Sequence, residues 1–329
     1  MGRVGRRQFL IATGALLAVP LVAKAQRAGK IWRIGVLRPG PDDAVFRQNF
    51  DPFLQALRDR GFTDGKNLTL ELRVRPANPQ EMLVLASELV RARVDAIVAA
   101  SPAAVSAAAK ATTQIPVVAV DTESDPVASG FAASLARPGG NITGLFLDFP
   151  EMGGKWLQLL KEVAPKLTRA AVLWDPAIGH ALLNGVEAAA SSIGVRIVRL
   201  EARGPADFAP AFQSAATEKA DALLVLGTPA FYSAHREIAD LAIKHRLPSI
   251  MPYPPFADDR GLMAYGPSLA GMFRQAGGVT AKILQGARPK EIAIERPTRF
   301  ELVVNLKTAS ALGLTIPQTV LLFADRVIE

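Results

Sequence analysis

One plan of alternating strands and helices runs through this chain twice, and that repetition limits the possible folds more than any other feature. Ile31–Leu37 reads as a buried strand ended by the loop Arg38-Pro39-Gly40-Pro41. Phe46, Phe50, Phe53, Leu54 and Leu57 then recur at three- and four-residue spacing, which marks one face of a helix stopping near Gly61. Asn67–Val74, Ala96–Ala100 and Pro116–Val120 read as further strands, with helices over Gln80–Ala92 and Ala103–Thr113 between them. Alternation of this kind implies an α/β fold whose parallel sheet is covered on both faces.

The same order then returns at a nearly constant offset. Leu167–Trp174 answers Ile31–Leu37, and Val195–Leu200 answers Asn67–Val74. Arg93-Val-Asp95-Ala-Ile-Val98 has its counterpart in Lys219-Ala-Asp221-Ala-Leu-Leu224, and Gln114-Ile-Pro116 in Arg246-Leu-Pro248. Two sister doubly wound lobes are therefore expected. Turn-rich passages at Arg137–Gly144 and Gly261–Pro267 suggest where the chain crosses between them. With a third crossing before Phe300, residues 30–141 plus 268–295 form one expected lobe and 145–263 plus 300–329 the other. A three-segment hinge suits closure around a ligand.

Residues 1–25 have a different character. Arg3, Arg6, Arg7 and Lys24 stand there without an acid, so half of the net charge of +8 lies in this segment. An apolar run follows Arg6-Arg7-Gln8-Phe9-Leu10 and ends at Ala23-Lys24-Ala25, the pattern of a cleaved export signal. The Arg-Arg-x-Phe-Leu core resembles a twin-arginine signal, and a periplasmic protein is expected. In the rest of the chain Arg58, Arg60, Arg91 and Arg93 share their segments with acids and form no stripe, so no nucleic-acid partner is expected.

Recognisable catalytic chemistry is missing. No cysteine exists for a disulfide, a thiolate metal site, a nucleophile or a lipid anchor. His180, His235 and His245 lack metal-ligand spacing. Gly139-Gly-Asn-Ile-Thr-Gly144 is not a dinucleotide loop, and Gly266-Pro-Ser268-Leu-Ala-Gly271 is not a nucleophile elbow. The expectation is a binding protein without a catalytic residue, metal or cofactor.

In open α/β sheets, ligands sit beyond the carboxyl ends of the strands. That rule points to Arg38–Pro41, Ser101–Ala103, Asp121–Pro126, Asp175-Pro176, Gly227–Pro229 and Pro252-Tyr253. From these Arg38, Ser101, Ala103, Asp121, Asp125, Asp175, Thr228 and Tyr253 are taken as ligand candidates, with Tyr265 in the second turn-rich passage. Ser101-Pro102 and Thr228-Pro229 hold equivalent places, each setting a hydroxyl at an N-cap and proline at the first helical position. A helix start favours an anionic group; plain capping is the competing reading. Asp125 and Asp175 precede prolines and suit either a ligand ammonium or a turn. Tyr253 and Tyr265 are two of only three tyrosines and could stack on a ligand, whereas Trp174 is read as core.

Further stretches carry a family likeness: Ala136-Arg-Pro-Gly-Gly-Asn-Ile-Thr-Gly144, Gly261-Leu-Met-Ala-Tyr-Gly-Pro-Ser-Leu269 and Phe300-Glu-Leu-Val-Val-Asn-Leu-Lys-Thr-Ala309-Ser-Ala-Leu-Gly-Leu314, with Ile115-Pro-Val-Val and Asp125-Pro-Val. Together they resemble the substrate-binding proteins of ABC transporters of the tryptophan/tyrosine uptake type. The resemblance implies a type I periplasmic binding fold, acting as a monomer, that captures a small solute such as an aromatic or other amino acid. It also implies delivery of that solute to an inner-membrane permease and its ATPase. Arg38-Pro-Gly-Pro41 and Ser101-Pro-Ala103 depart from the small polar and Gly-Thr loops of relatives, and Arg38 points to a more acidic solute. A sensor partnering a membrane receptor and an exported α/β enzyme are the alternative classes.

Overall fold

The computed structural model describes residues 29–75, 78–147, 152–176 and 180–329, so the expected export signal lies outside the described residues. Two sheets carry the fold. The first holds β1 (Trp32–Pro39), β2 (Leu68–Arg75), β3 (Ala96–Ala100), β4 (Val117–Asp121) and β5 (Ile142–Phe146), all parallel in the order β2-β1-β3-β4-β5.

The second sheet repeats that order. It holds β6 (Arg169–Trp174), β7 (Arg196–Glu201), β8 (Ala222–Val225), β9 (Ser249–Met251) and β10 (Met263–Pro267), arranged β7-β6-β8-β9-β10. Two strands are added beside β10: β11 (Phe300–Asn305), which runs antiparallel to it, and β12 (Arg326–Ile328).

Strands β3, β4 and β5 are buried along their whole length, which is why β3 and most of β4 read as apolar runs. Side chains alternate between the two faces. Val36, Val98 and Val118 join one core layer of the first sheet, while Leu37, Ile97 and Ala119 join the other.

The repeated Arg/Lys-x-Asp stretch has a structural reason. Asp95 accepts the backbone N–H of Arg33 at 2.8 Å, and Asp221 accepts that of Arg169 at 2.9 Å. In each half the carboxylate thus secures the start of the strand that opens the sheet. Arg93 and Lys219, two residues before each aspartate, have φ of 53° and 54°. These matched left-handed turns release the chain from the preceding helix into the strand.

Helices α1 (Ala44–Arg58), α2 (Pro79–Arg91) and α3 (Pro102–Ala111) cover the first sheet. The corresponding helices on the second are α4 (Met152–Val163), α5 (Ala181–Ile193), α6 (Pro205–Thr217), α7 (Pro229–Ser233), α8 (His235–Lys244) and α9 (Pro254–Asp258).

After β10 the chain returns to the first sheet as α10 (Leu269–Leu284), whose Phe273 joins Phe46 and Phe50 of α1. A Cβ at Gly277 would stand 2.6 Å from the Phe53 carbonyl, so this glycine allows the two helices to close up. The chain then re-enters the second sheet through β11 and ends with α11 (Leu306–Leu312), α12 (Gln318–Phe323) and β12.

Both sheets run further than the expected crossing points at Asn141 and Met263. Gly144 and Gly266 read as turn residues, yet they lie within β5 and β10. A Cβ at Gly144 would fall 2.3 Å from the Ala119 carbonyl oxygen, and one at Gly266 2.0 Å from that of Pro252. These glycines serve close backbone approach between strands instead of reversing the chain. Among the described residues, no helix is long and apolar enough to cross a membrane.

Candidate functional site

The carboxyl edges of the two sheets face one cleft. Arg38 and Pro39 enter it from the end of β1, Ser101 from the turn after β3, and Thr122 and Glu123 from the turn after β4. The second half contributes Thr228 after β8, Tyr232 on α7 and Tyr253 after β9, while Leu269 and Phe273 of α10 close one wall.

Each lining group is held by local chemistry. Arg38 donates from Nη1 to the Pro41 carbonyl at 3.2 Å, and its guanidinium lies 5.0 Å from the Phe46 ring centre. Burial lowers its pKa, opposed by Tyr232 and Asp43, yet a guanidinium so placed stays charged. Thr228 caps α7 by accepting the Phe231 N–H at 3.0 Å.

Ser101 caps α3 by accepting the Ala104 N–H at 3.2 Å, with φ of 129° and ψ of 162°. That region is nearly confined to glycine and costs a serine about 1–3 kcal/mol. Glycine loses only a few tenths of a kcal/mol as a cap. Ser101→Gly is therefore expected to raise stability by about 1 kcal/mol, or roughly 2–4 °C in Tm. Ser101→Ala keeps the strain, loses the cap and is expected to lower stability by about 1 kcal/mol, which calorimetry of both variants checks.

Tyr253 bridges the halves. Its hydroxyl donates to Glu123 Oε1 at 3.2 Å and lies 3.4 Å from the Thr122 hydroxyl. Its ring meets Tyr232 edge-on at 5.2 Å. A Cβ at Gly227 would come within 2.8 Å of that hydroxyl, so the glycine makes room for the bridge. His235 supports the same wall from behind, with Nδ1 at 2.6 Å from the Tyr232 carbonyl and Nε2 at 2.7 Å from Asp259.

Two carboxyls converge under the bridge. Asp121 is fully buried, and its Oδ1 accepts the N–H groups of Glu123 and Ser124 at 2.9 and 3.0 Å. Burial raises its pKa against those bonds. Burial and then the nearby Asp121 push the Glu123 carboxyl up to about 8, with the Tyr253 and Thr122 hydroxyls opposing. Burial also raises the Tyr253 phenol well above its ordinary value.

Of the residues selected from sequence, Arg38, Ser101, Thr228 and Tyr253 line the cleft. Asp121 lies behind it and shapes the turn that presents Glu123. Ala103, in the first turn of α3, and Asp175, buried after β6, are not among the lining residues. Asp125 is exposed, and its Oδ1 accepts the N–H groups of Val127 and Ala128, a turn role. Tyr265 stacks on Phe300 beside the core of the second sheet, away from the cleft.

Thr122 and Glu123 lie within the strand-end stretch Asp121–Pro126 but were not singled out from it, and Tyr232 and Phe273 were not selected. Tyr232 had a usable signal, since it stands one helical turn after Thr228. Phe273 had none, because it comes from a helix that follows the second half in sequence. Among the described residues, no group of three or more His, Asp or Glu side chains could hold a metal ion.

A family model for ABC transporter substrate binding proteins matches residues 34–328. The chain belongs to this family. The tyrosine-binding protein of Clostridioides difficile (strain R20291) is 24% identical over 264 residues, covering 80% of this chain and 75% of that one. A conserved domain protein from Vibrio cholerae superimposes with a TM-score of 0.83 at 25% identity, over 91% of this chain and 100% of the other. The ABC domain from Streptococcus pneumoniae in complex with L-Trp superimposes with a TM-score of 0.82 at 21% identity, over 90% and 99%. The two-lobed α/β architecture of this ABC transporter substrate-binding protein is that of type I periplasmic binding proteins.

Proposed function

We propose that this substrate-binding protein works in the periplasm, closing its two lobes on an amino acid or a closely related carboxylic acid and passing it to an inner-membrane permease. The lobes of this reading are the two sheets with their helices, α10 belonging to the first. The observation that carries it is the composition of the cleft. A guanidinium and the capped start of α3 face a tyrosine-rich wall across the space between the two sheets. Arg38 supplies charge-assisted hydrogen bonds for a carboxylate. Tyr232, Tyr253 and Phe273 supply an apolar surface for a ring or a large aliphatic group. The likeness to a tyrosine-binding protein and to a domain in complex with L-Trp supports the same solute class.

A thermal-shift screen of the purified protein against amino acids, aromatic acids and short organic acids tests the reading. A ligand at one hundred times its Kd stabilises the protein by about 2.7 kcal/mol. That amounts to a rise of roughly 5–10 °C confined to one chemical class. A flat screen, together with no small molecule released on denaturation, would overturn it.

A further inference from the structure

We propose that the cleft recognises its solute through a primary ammonium group seated against Glu123, and that this ammonium displaces a proton held by the Glu123–Asp121 pair, so that capture is coupled to proton release. The proposal rests on the reading of the cleft as a solute site.

The geometry assigns one free acceptor to each carboxyl. Glu123 lines the cleft, its Oε1 is occupied by the Tyr253 hydroxyl, and its Oε2 is buried with no hydrogen-bond partner. Asp121 spends its Oδ1 on two backbone N–H groups, and its Oδ2 is likewise buried and partnerless. Two buried carboxylates side by side with unsatisfied oxygens are disfavoured by desolvation and by like charge. Keeping one proton on the pair lowers both costs.

The surroundings do not neutralise Glu123 in another way. Across the cleft it faces the Tyr253 phenol, and from its own turn the Thr122 hydroxyl. Arg38 lines the same cleft from the end of β1, and the groups its charge meets are Tyr232 and Asp43. The upward displacement of the Glu123 pKa to about 8 agrees with this arrangement.

An arriving ammonium changes the balance. The Glu123 carboxyl turns to bring Oε2 to the cleft and accepts from the ammonium, the carboxylic proton leaves to solvent, and Glu123 becomes a carboxylate whose charge the ligand offsets. Tyr253 keeps its bond to Oε1 throughout. One proton is released for each cation bound, and no other bond is made or broken.

The test has two arms. In the first, thermal stability of the ligand-free protein is followed from pH 5 to 9. A raised folded-state pKa gives stability that is fully present below the unfolded value near 4.5 and is lost as pH rises through about 8. The wild-type Tm should therefore fall across this window relative to Glu123→Gln, and Asp121→Asn should move the fall to lower pH. Parallel curves for all three proteins would overturn the proposal.

In the second arm, titration calorimetry compares L-tyrosine with 3-(4-hydroxyphenyl)propionate, which lacks the amine, and extends to other amino acids paired in the same way. The amine-bearing member should gain roughly 50-fold in affinity between pH 6 and pH 8. Its heat should vary with the buffer's ionisation enthalpy as expected for about one proton released, and Glu123→Gln should abolish both effects. If the amine-free acids bind and the amines do not, the proton-coupled ammonium site is overturned and the solute reading stands. Failure of every pair would overturn both.

Discussion

Alanine at Gly144 is expected to destabilise the protein by about 4 kcal/mol and to lower its Tm by about 10 °C. Gly144 has φ of +125° and pairs directly with Ala119 of β4. An added Cβ would stand 2.3 Å from the Ala119 oxygen and 2.5 Å from its nitrogen. Both are backbone atoms of a buried strand, so neither can move aside as a flexible side chain would. Relief requires β5 to leave β4, and β4 ends at Asp121, the residue that shapes the Glu123 turn. Differential scanning calorimetry would check the loss. A Tm within 2 °C of wild type would mean that β5 can slide without cost.

The same glycine shows what was readable in the sequence. The repeated alternation of strands and helices followed from β-branched runs and from the matched Arg93-Val-Asp95 and Lys219-Ala-Asp221 stretches, because burial and strand anchoring demand those residue types. Glycine carries no such mark. At Gly144 and Gly266 it permits two backbones to touch, and in sequence that use looks the same as a turn. Hence β5 and β10, which run through these glycines, read as turn-rich crossings and not as strands.

The candidate site divides along a similar line. Arg38, Ser101, Thr228 and Tyr253 follow directly from the ends of strands, so a topological rule reaches them. Glu123 enters the cleft only because the Asp121 carboxylate captures two N–H groups and bends the turn. Asp125, two residues on, spends its carboxylate on its own turn. Which of these acids faces a ligand depends on hydrogen bonds a few residues long. Tyr265 is decided by strand alternation: on β10 it points to the layer that holds Phe300.

Arg38→Ala is expected to weaken binding of a carboxylate-bearing solute about 100-fold, the equivalent of the roughly 1.5–3 kcal/mol that hydrogen bonds to charged groups contribute. Arg38 brings its positive charge to the lining from the end of β1, and among the described residues one of its donors is engaged, by the Pro41 carbonyl. Arg38→Lys should recover part of the affinity, since an ammonium keeps the charge and loses the planar fork. The guanidinium also rests against Phe46, so the alanine variant should lose about 0.5–1 kcal/mol of stability in the ligand-free protein. Melting curves without ligand separate that loss from the binding effect. Calorimetric titration with an amino acid and with its carboxamide then isolates the carboxylate. The amide should bind wild type and Arg38→Ala alike, whereas the acid should discriminate strongly between them. Equal discrimination by both compounds would show that Arg38 acts through packing on Phe46, and the anion role would fall to the start of α3 at Ser101.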